Sequence, residues 1–349
     1  MPFRPVIHCE GAPHDRGERH GAEAAELIHE NIETYRRLLR ERFKIAWPAA
    51  RRHAARFVPW IRAFDAGLAE ELRALAAGAR ADLRDVVLLN ARSSLTLTHS
   101  PDGCTALANV GADTGPVLLA QNWDNLRRLR AVVLRVTAPG APPLVTLTEA
   151  GTLAKIGVNG DGVGIAVNGL HGPAAARRAV PIFVALRKAL SAGGVARAME
   201  TLTGTVKDAP HHYLVASGEG AAFSIEALAD DHDVLAPAGP FVVHTNHYVG
   251  PRMLPRPVSR VRHPGSVVRL WRAQRLLAEH RGPFGVAEAR EVLSDHFAAP
   301  TSICAHAEGA AGDLAGETKC CVVMELAAGR LHVSEGHPCK TSFETIAVA

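Results

Sequence analysis

The residues best suited to chemistry gather around one interior cysteine. The chain reads Ser100-Pro101-Asp102-Gly103-Cys104-Thr105 and, after a short apolar run, Gln121-Asn122-Trp123-Asp124. A thiol that directly follows a glycine carbonyl can attack it, giving a thioester by N-to-S acyl shift. Water then releases a new chain that begins at Cys104. Gly103 suits this step because it lacks Cβ, which opens backbone conformations closed to other residues and gives the sulfur close access. The freed α-amine, with a reference pKa of about 7.7–8.0, lies near the operating pH of an efficient general base. A thiol of pKa about 8.5 needs such help at neutral pH. Cys104 would then carry nucleophile and base together, an established pattern for covalent acyl transfer.

Two further polar residues offer complementary chemistry. Asp124 closes the Gln121–Asp124 run, where a carboxylate can hold an ammonium or amide N–H or simply end a strand in a surface turn. Asn246, in Thr245-Asn246-His247-Tyr248, has an amide N–H apt for an oxyanion, or for its own backbone at a strand end. The 18 histidines invite a search for metal ligands at His211-His212, at His244 with His247, and at Asp230-Asp231-His232-Asp233. None has the spacing of a metal site, and the expectation is no metal. The glycine-rich run from Gly157 to Gly164 lacks both the P-loop lysine and a following helix, so hairpin-turn glycines explain it better.

The elements that must position these residues change character at the loop before Cys104. Apolar residues Ala22, Ala25, Leu27, Ile28, Ile32, Tyr35, Leu38 and Leu39 recur at helical spacing and predict a helix over about 18–43, with others over 64–79 and from 82 onward. Beyond the loop the pattern becomes short apolar runs between Gly and Pro, at 117–120, 131–136, 144–147, 162–167, 213–216 and 241–243, which read as strands. Two hairpins are legible, 213–216 turning at Ser217-Gly218-Glu219-Gly220 into 222–225, and 321–324 turning near Ala328-Gly329 into 331–333. Helices return at about 182–191, 195–202, 267–279 and 286–296. Blocks of helix and strand without β-α-β alternation predict antiparallel sheets packed between helical layers in one domain.

Composition bounds the function class. The 349 residues are 47% hydrophobic and 21% charged, enough for a sizeable core. The net charge of +4 rests on dispersed arginine with no recognition motif, so no nucleic-acid partner is expected. The basic stretch Arg252, Arg256, Arg260, Arg262, Arg269, Arg272 and Arg275 reads as a solvated loop entering a helix. No apolar run is long enough for a signal peptide or a bilayer span, which predicts no membrane and a cytoplasmic location. Cys9, Cys104, Cys304, Cys320, Cys321 and Cys339 include no Cys-x-x-Cys pair and are read mostly as reduced, buried small hydrophobes.

Taken in order, Leu89-Asn90-Ala91-Arg92-Ser93, Asp102-Gly103-Cys104-Thr105, Gln121-Asn122-Trp123-Asp124, Thr148-Glu149-Ala150-Gly151 with Asn159, Gly162 and Val163, Thr245-Asn246-His247-Tyr248, Ser302-Ile303-Cys304 and Glu335-Gly336-His337-Pro338-Cys339 form a pattern over nearly the whole chain. It resembles the acyl-coenzyme A:6-aminopenicillanate acyltransferase family, or isopenicillin N acyltransferases, among the N-terminal-nucleophile hydrolases. The resemblance implies an α+β fold, a four-layer αββα sandwich with mainly antiparallel sheets. It also implies an inactive precursor cut between Gly103 and Cys104 into a helical chain 1–103 and a catalytic chain 104–349, which stay together as a heterodimer. Cys104 matches the family nucleophile, Asp124 the acidic residue that contacts the amino side of the substrate, and Asn246 the oxyanion donor. The activity implied is that of an amidohydrolase or acyltransferase on small, non-peptide or peptide-like C–N bonds. Its partners would be a small amide or acyl donor and an amine acceptor, with no cofactor beyond acyl-coenzyme A as a donor substrate.

Two departures stand out. Penicillin-processing members carry a carboxylate-binding Arg after Ser-Ile-Cys, where this chain has Ala305 and then His306, the residue left to bind substrate there. Ser94 follows Arg92-Ser93 where an acidic residue is expected. The alternative reading is a catalytically silent member that binds small amines or acyl groups.

Overall fold

The computed structural model describes residues 5–96, 103–174, 178–255, 264–307, 312 and 314–348. The chain opens with strand β1 (Val6–Glu10) and continues through helices α1 (Pro13–Glu23), α2 (Ala25–Glu41), α3 (Trp47–Ala55), α4 (Val58–Phe64), α5 (Ala66–Gly78), α6 (Leu83–Ala91) and α7 (Ser93–Thr96). Proline in the first turn starts α1, α3 and α4, where its missing N–H costs nothing. Asp65 and Asp82 cap α5 and α6 by accepting the backbone N–H groups of Leu68 and Arg84.

The helix expected over 18–43 is two helices. Ala24, at φ −107° and ψ 14°, leaves the helical region between them. Close packing of α1 on α5 accounts for the break. A Cβ at Gly17 would lie 2.1 Å from the Glu71 carbonyl oxygen, one at Gly21 2.2 Å from that of Leu75, and one at Gly78 2.4 Å from that of Glu18. The two backbones therefore touch, while α2 turns Ile28, Ile32, Tyr35, Leu38 and Leu39 into the core. Strand β1 also escapes the sequence reading. It is five residues long with only Ile7 and Cys9 inward, and its ladder comes from a distant strand.

From Thr105 onward come β2 (Thr105–Asn109), β3 (Leu118–Leu126), β4 (Ala131–Thr137), β5 (Leu144–Glu149), β6 (Ile156–Asn159) and β7 (Val163–Gly169), then helices α8 (Ile182–Leu190) and α9 (Val195–Gly204). Strands β8 (His211–Ser217), β9 (Ala221–Ala227), β10 (His232–Leu235) and β11 (Phe241–His244) follow, then α10 (Pro264–Glu279), α11 (Val286–Leu293), β12 (Gly316–Glu325), β13 (Arg330–Glu335) and β14 (Glu344–Ala347). Among the described residues these strands form an eight-stranded sheet ordered β1-β4-β5-β6-β7-β8-β9-β10 and a six-stranded sheet ordered β11-β2-β3-β12-β13-β14. Every pairing is antiparallel except that of β1 with β4. Both expected hairpins are present, β8–β9 and β12–β13, and Gly162 (φ +72°) turns β6 into β7, which accounts for the glycine-rich run.

Strands β2 and β3 face β7 and β8 across the interior, helices α8 and α9 cover the outer face of the eight-stranded sheet, and α10 and α11 cover that of the six-stranded sheet. This is the four-layer αββα order. Strands β5 and β8 are buried along their whole length because layers lie on both faces. A second apolar cluster, including Leu107, Leu118, Ala273, Leu277, Phe284 and Val323, fastens α10 and α11 to the six-stranded sheet.

Candidate active site

Register alone brings Gly103 beside Asp124. Strands β2 and β3 pair with Thr105 opposite Asn122, so the chain just before Thr105 runs back along the end of β3. A Cβ at Gly103 would sit 2.6 Å from Asp124 Oδ2. A side chain there would force the Asp124 carboxylate to move, a second use for the missing Cβ beside the backbone freedom and sulfur access expected from the sequence. Cys104, 3% exposed, directs Sγ toward the Asp124 carbonyl oxygen at 4.0 Å. Ser100, Pro101 and Asp102 of the lead-in lie outside the described residues.

Asp124 is held from β12. The register of β12 against β3 slips between Thr318 and Cys320, and such a bulge re-aims a side chain. Thr318 Oγ1 donates to Asp124 Oδ1 at 2.7 Å and accepts the Ala305 N–H at 2.9 Å, while the Thr318 N–H donates to the Ala305 carbonyl at 2.9 Å. Asn122 donates to the Leu293 and Ile303 carbonyls at 2.7 and 2.9 Å, fixing the 302–306 loop to β3. Position 305, read from sequence as a lost cation, is a main-chain clamp behind Asp124.

Arg269, on α10, dominates the electrostatics. Its Nη1 donates to the carbonyl oxygens of Gly103 (2.7 Å) and Cys104 (2.6 Å) and to Thr105 Oγ1 (3.1 Å), and its Nη2 donates to Asn246 Oδ1 at 3.0 Å. Burial pulls its pKa down, and the negative charge of Asp124 and of a Cys104 thiolate opposes that shift. The reading of the 252–275 arginines as a solvated stretch therefore fails at Arg269, which is 4% exposed; Arg256, Arg260 and Arg262 lie outside the described residues. The signal was present. Ser266, Arg269, Ala273 and Leu277 form the buried stripe of α10 at helical spacing.

Asn246 follows β11, which pairs with β2. Because Arg269 can only donate, Asn246 presents Oδ1 to it and Nδ2 to the Gly169 carbonyl at 3.0 Å. The backbone N–H of Asn246 donates to Ser266 Oγ at 2.8 Å. The histidines weighed as metal ligands buttress this strand. His244 Nε2 lies 2.8 Å from Glu226 Oε1, its ring stacks on His212 at 3.5 Å, and Glu226 also accepts the N–H groups of Val249 and Gly250. Burial, then His244, lowers His247 to about 4, which keeps it neutral near pH 7.

Cys104 opens onto a cleft whose walls include Tyr35, Arg42, Arg92, Trp123, Lys155 and Phe183. Arg92 and Lys155 both pair with Glu149, which also accepts the Tyr35 hydroxyl at 2.8 Å. The Asn90-Arg92 and Glu149 motifs are thus two halves of one buried network, with Asn90 donating to the Gly151 carbonyl. Ser94, the second departure, pairs with His53 Nε2 at 2.8 Å. His306 does not reach this cleft. It borders another one, with His296 and Cys339.

A family model described as acyl-coenzyme A:6-aminopenicillanic acid acyl-transferase matches residues 111–340, about two thirds of the chain. The acyl-coenzyme A:6-aminopenicillanic-acid-acyltransferase 40 kDa form of Emericella nidulans is 27% identical over 319 residues, 87% of this chain and 85% of that one. A Caenorhabditis elegans ortholog of N-acylethanolamine-hydrolyzing acid amidase aligns with TM-score 0.46 at 16% identity, over 64% of this chain and 93% of its own. A mutant conjugated bile acid hydrolase from Clostridium perfringens aligns with TM-score 0.47 at 12% identity, over 70% and 96%. With that family match lying over an αββα sandwich of mainly antiparallel sheets, the chain belongs to the acyl-coenzyme A:6-aminopenicillanic acid acyl-transferase family.

Proposed function

We propose that the protein is an autoproteolytic cysteine amidohydrolase or acyltransferase whose nucleophile is Cys104. The observation that carries this reading is the bond from Arg269 Nη1 to the Gly103 carbonyl oxygen at 2.7 Å. That oxygen takes the negative charge when Cys104 Sγ adds to the Gly103 carbonyl carbon, and a buried guanidinium beside it is a preorganised oxyanion donor. The C–N bond then breaks with a proton passing to nitrogen, and water hydrolyses the thioester to leave a Gly103 carboxylate and a free Cys104 α-amine. In turnover the amine takes the thiol proton, the thiol attacks an acyl donor, and the leaving amine departs protonated. Water or an acceptor amine releases the acyl group. Asn246 and Arg269 serve the oxyanion, and Asp124 orients the amino side of the substrate.

Several buried contacts would keep the cut chains together. Arg92 pairs with Glu149, Arg187 Nη1 with Glu71 Oε1 at 2.9 Å, and Asn31 Nδ2 donates to the Arg130 and Ala150 carbonyls at 2.9 and 3.0 Å. Arg42, Arg92 and Lys155 against Glu149 give the described cleft wall an excess of positive charge. A small amide or N-acyl amine carrying a carboxylate fits that wall better than a cationic one, and position 305 need not bind the carboxylate.

Intact-mass spectrometry tests the mechanism. The purified protein is expected as two chains, one beginning at Cys104, and Cys104→Ala as one uncut chain with turnover down by more than about 10⁴-fold. An uncut wild-type chain with full amidase activity would sink it.

A further inference from the structure

We propose that His296, Cys304, His306 and Cys339 form a tetrahedral site for a single Zn²⁺ ion, separate from the Cys104 centre. Nε2 of His306 lies 3.0 Å from His296 Nε2 and 3.5 Å from each of Cys304 Sγ and Cys339 Sγ, and the two sulfurs are 3.7 Å apart. All four donor atoms lie within 4.8 Å of one another. Zinc at about 2.3 Å from sulfur and about 2.0–2.1 Å from nitrogen, bound tetrahedrally, separates its ligands by about 3.8 Å for S···S, about 3.6 Å for S···N and about 3.3 Å for N···N. The four edges given above follow that order and fall within a few tenths of an ångström of it, and the two from His296 to the sulfurs lie within 4.8 Å, a span the exposed His296 side chain closes by a small shift.

The donor set also argues for a metal. Two sulfurs and two imidazole nitrogens converge on one point, where hydrogen bonding among them would need several protons in the space of one ion. Thiolate with imidazole selects Zn²⁺ over Mg²⁺ or Ca²⁺, and four protein ligands make a closed, structural site. The ligands come from three places, the turn after α11, the 304–306 loop and the turn after β13. An ion there would reinforce bonds that already join these segments, the Cys304 N–H to the Asp295 carbonyl at 3.0 Å, Arg290 to the Pro338 and Thr341 carbonyls at 3.0 and 3.1 Å, and the His306 ring stacked on His337 at 3.9 Å. His296 is exposed and Cys339 half-buried, which leaves a way in beside Ala299, Pro300 and Lys340. The site flanks Ala305, the main-chain clamp for Thr318 and hence Asp124. No Cys-x-x-Cys pair announces it, because one ligand lies more than thirty residues downstream of the others.

Elemental analysis of the full-length protein, expressed with zinc and purified without chelator, tests the site. About one equivalent of zinc is expected, with two sulfur and two nitrogen ligands by X-ray absorption at the zinc edge. Cobalt replacement should give the intense visible bands of a tetrahedral thiolate complex. The double variant His296→Ala/Cys339→Ala, if folded, should hold less than about a tenth of an equivalent. If it fails to fold, the absorption spectrum of the wild type still decides. Metal-free protein that takes up neither ion, a shell of oxygen ligands only, or a Cys304–Cys339 disulfide in freshly isolated protein would each overturn the proposal.

Discussion

Cys104 and Cys304 are both buried thiols, 3% and 0% exposed, and both lie near the Asp124 end of β3. Their surroundings differ in kind. Around Cys104 stand a guanidinium that donates to the carbonyls on either side of the Gly103–Cys104 bond, a carboxylate against Gly103, and an amide tied to the same guanidinium. Around Cys304 stand a second sulfur and two imidazole nitrogens. Donors aimed at a carbonyl suit acyl chemistry, and converging lone pairs suit a cation. The lesson is that a cysteine's neighbours, more than its burial, assign its chemistry. The two centres meet at one side chain, Thr318, which links the Ala305 main chain to Asp124.

The largest break in this contrast is expected from Arg269→Met, which removes the electrophilic character of the first centre and leaves the second intact. Processing at Gly103–Cys104, followed by gel or intact mass over time, should slow by about 10²–10³-fold, the usual cost of one oxyanion donor. Arg269→Lys should recover part of the rate, which a purely structural role for the residue would not produce. Rates within threefold of wild type in the Met variant would remove Arg269 from the mechanism. A smaller effect is expected from Thr318→Val, which keeps the shape and cuts the bridge between the centres. Asp124 would lose its 2.7 Å donor, and turnover should fall about tenfold through misplacement. If the zinc site holds the 304–306 loop on its own, its metal content should not change.

The smallest effect lies outside both centres and sharpens the comparison as a control. Burial pushes the Asp208 carboxyl up to about 7, while its N–H partner Ile182 and the charge of Arg92 oppose the shift. A carboxyl with a raised pKa keeps its proton in the folded chain after the unfolded chain, near about 3.9, has lost it. Its contribution to stability is therefore full below about pH 4 and is lost as pH rises through about 7. Asp208→Asn, which still accepts the Ile182 N–H, should flatten that part of the stability-versus-pH curve in urea melts and leave processing unchanged. An unaltered slope would mean that the carboxyl is ionised in the fold.

Much of this protein was legible in one dimension. The change from helix to strand after Gly103, the two hairpins and the later helices α8 to α11 follow from local periodicity, because each buries one face at a fixed spacing. What escaped depended on partners far along the chain. Strand β1 exists because β4 offers it a ladder, and α1 ends at Ala24 because glycines let it lie on α5.

The candidate site divides in the same way. By itself the sequence determined the Gly103–Cys104 junction, the Gln121–Asp124 run and the Thr245–Tyr248 run, since residue types and order suffice to identify a thiol, a carboxylate and an amide able to share an acyl reaction. Only the tertiary structure decided that Arg269 joins them, that position 305 serves through its main chain, and that His306 turns to Cys304 and Cys339 instead of the Cys104 cleft. The reason is physical. Hydrogen bonds and metal ligation are short-range and directional, and the distances that govern them are set by strand register and helix packing between segments up to 194 residues apart.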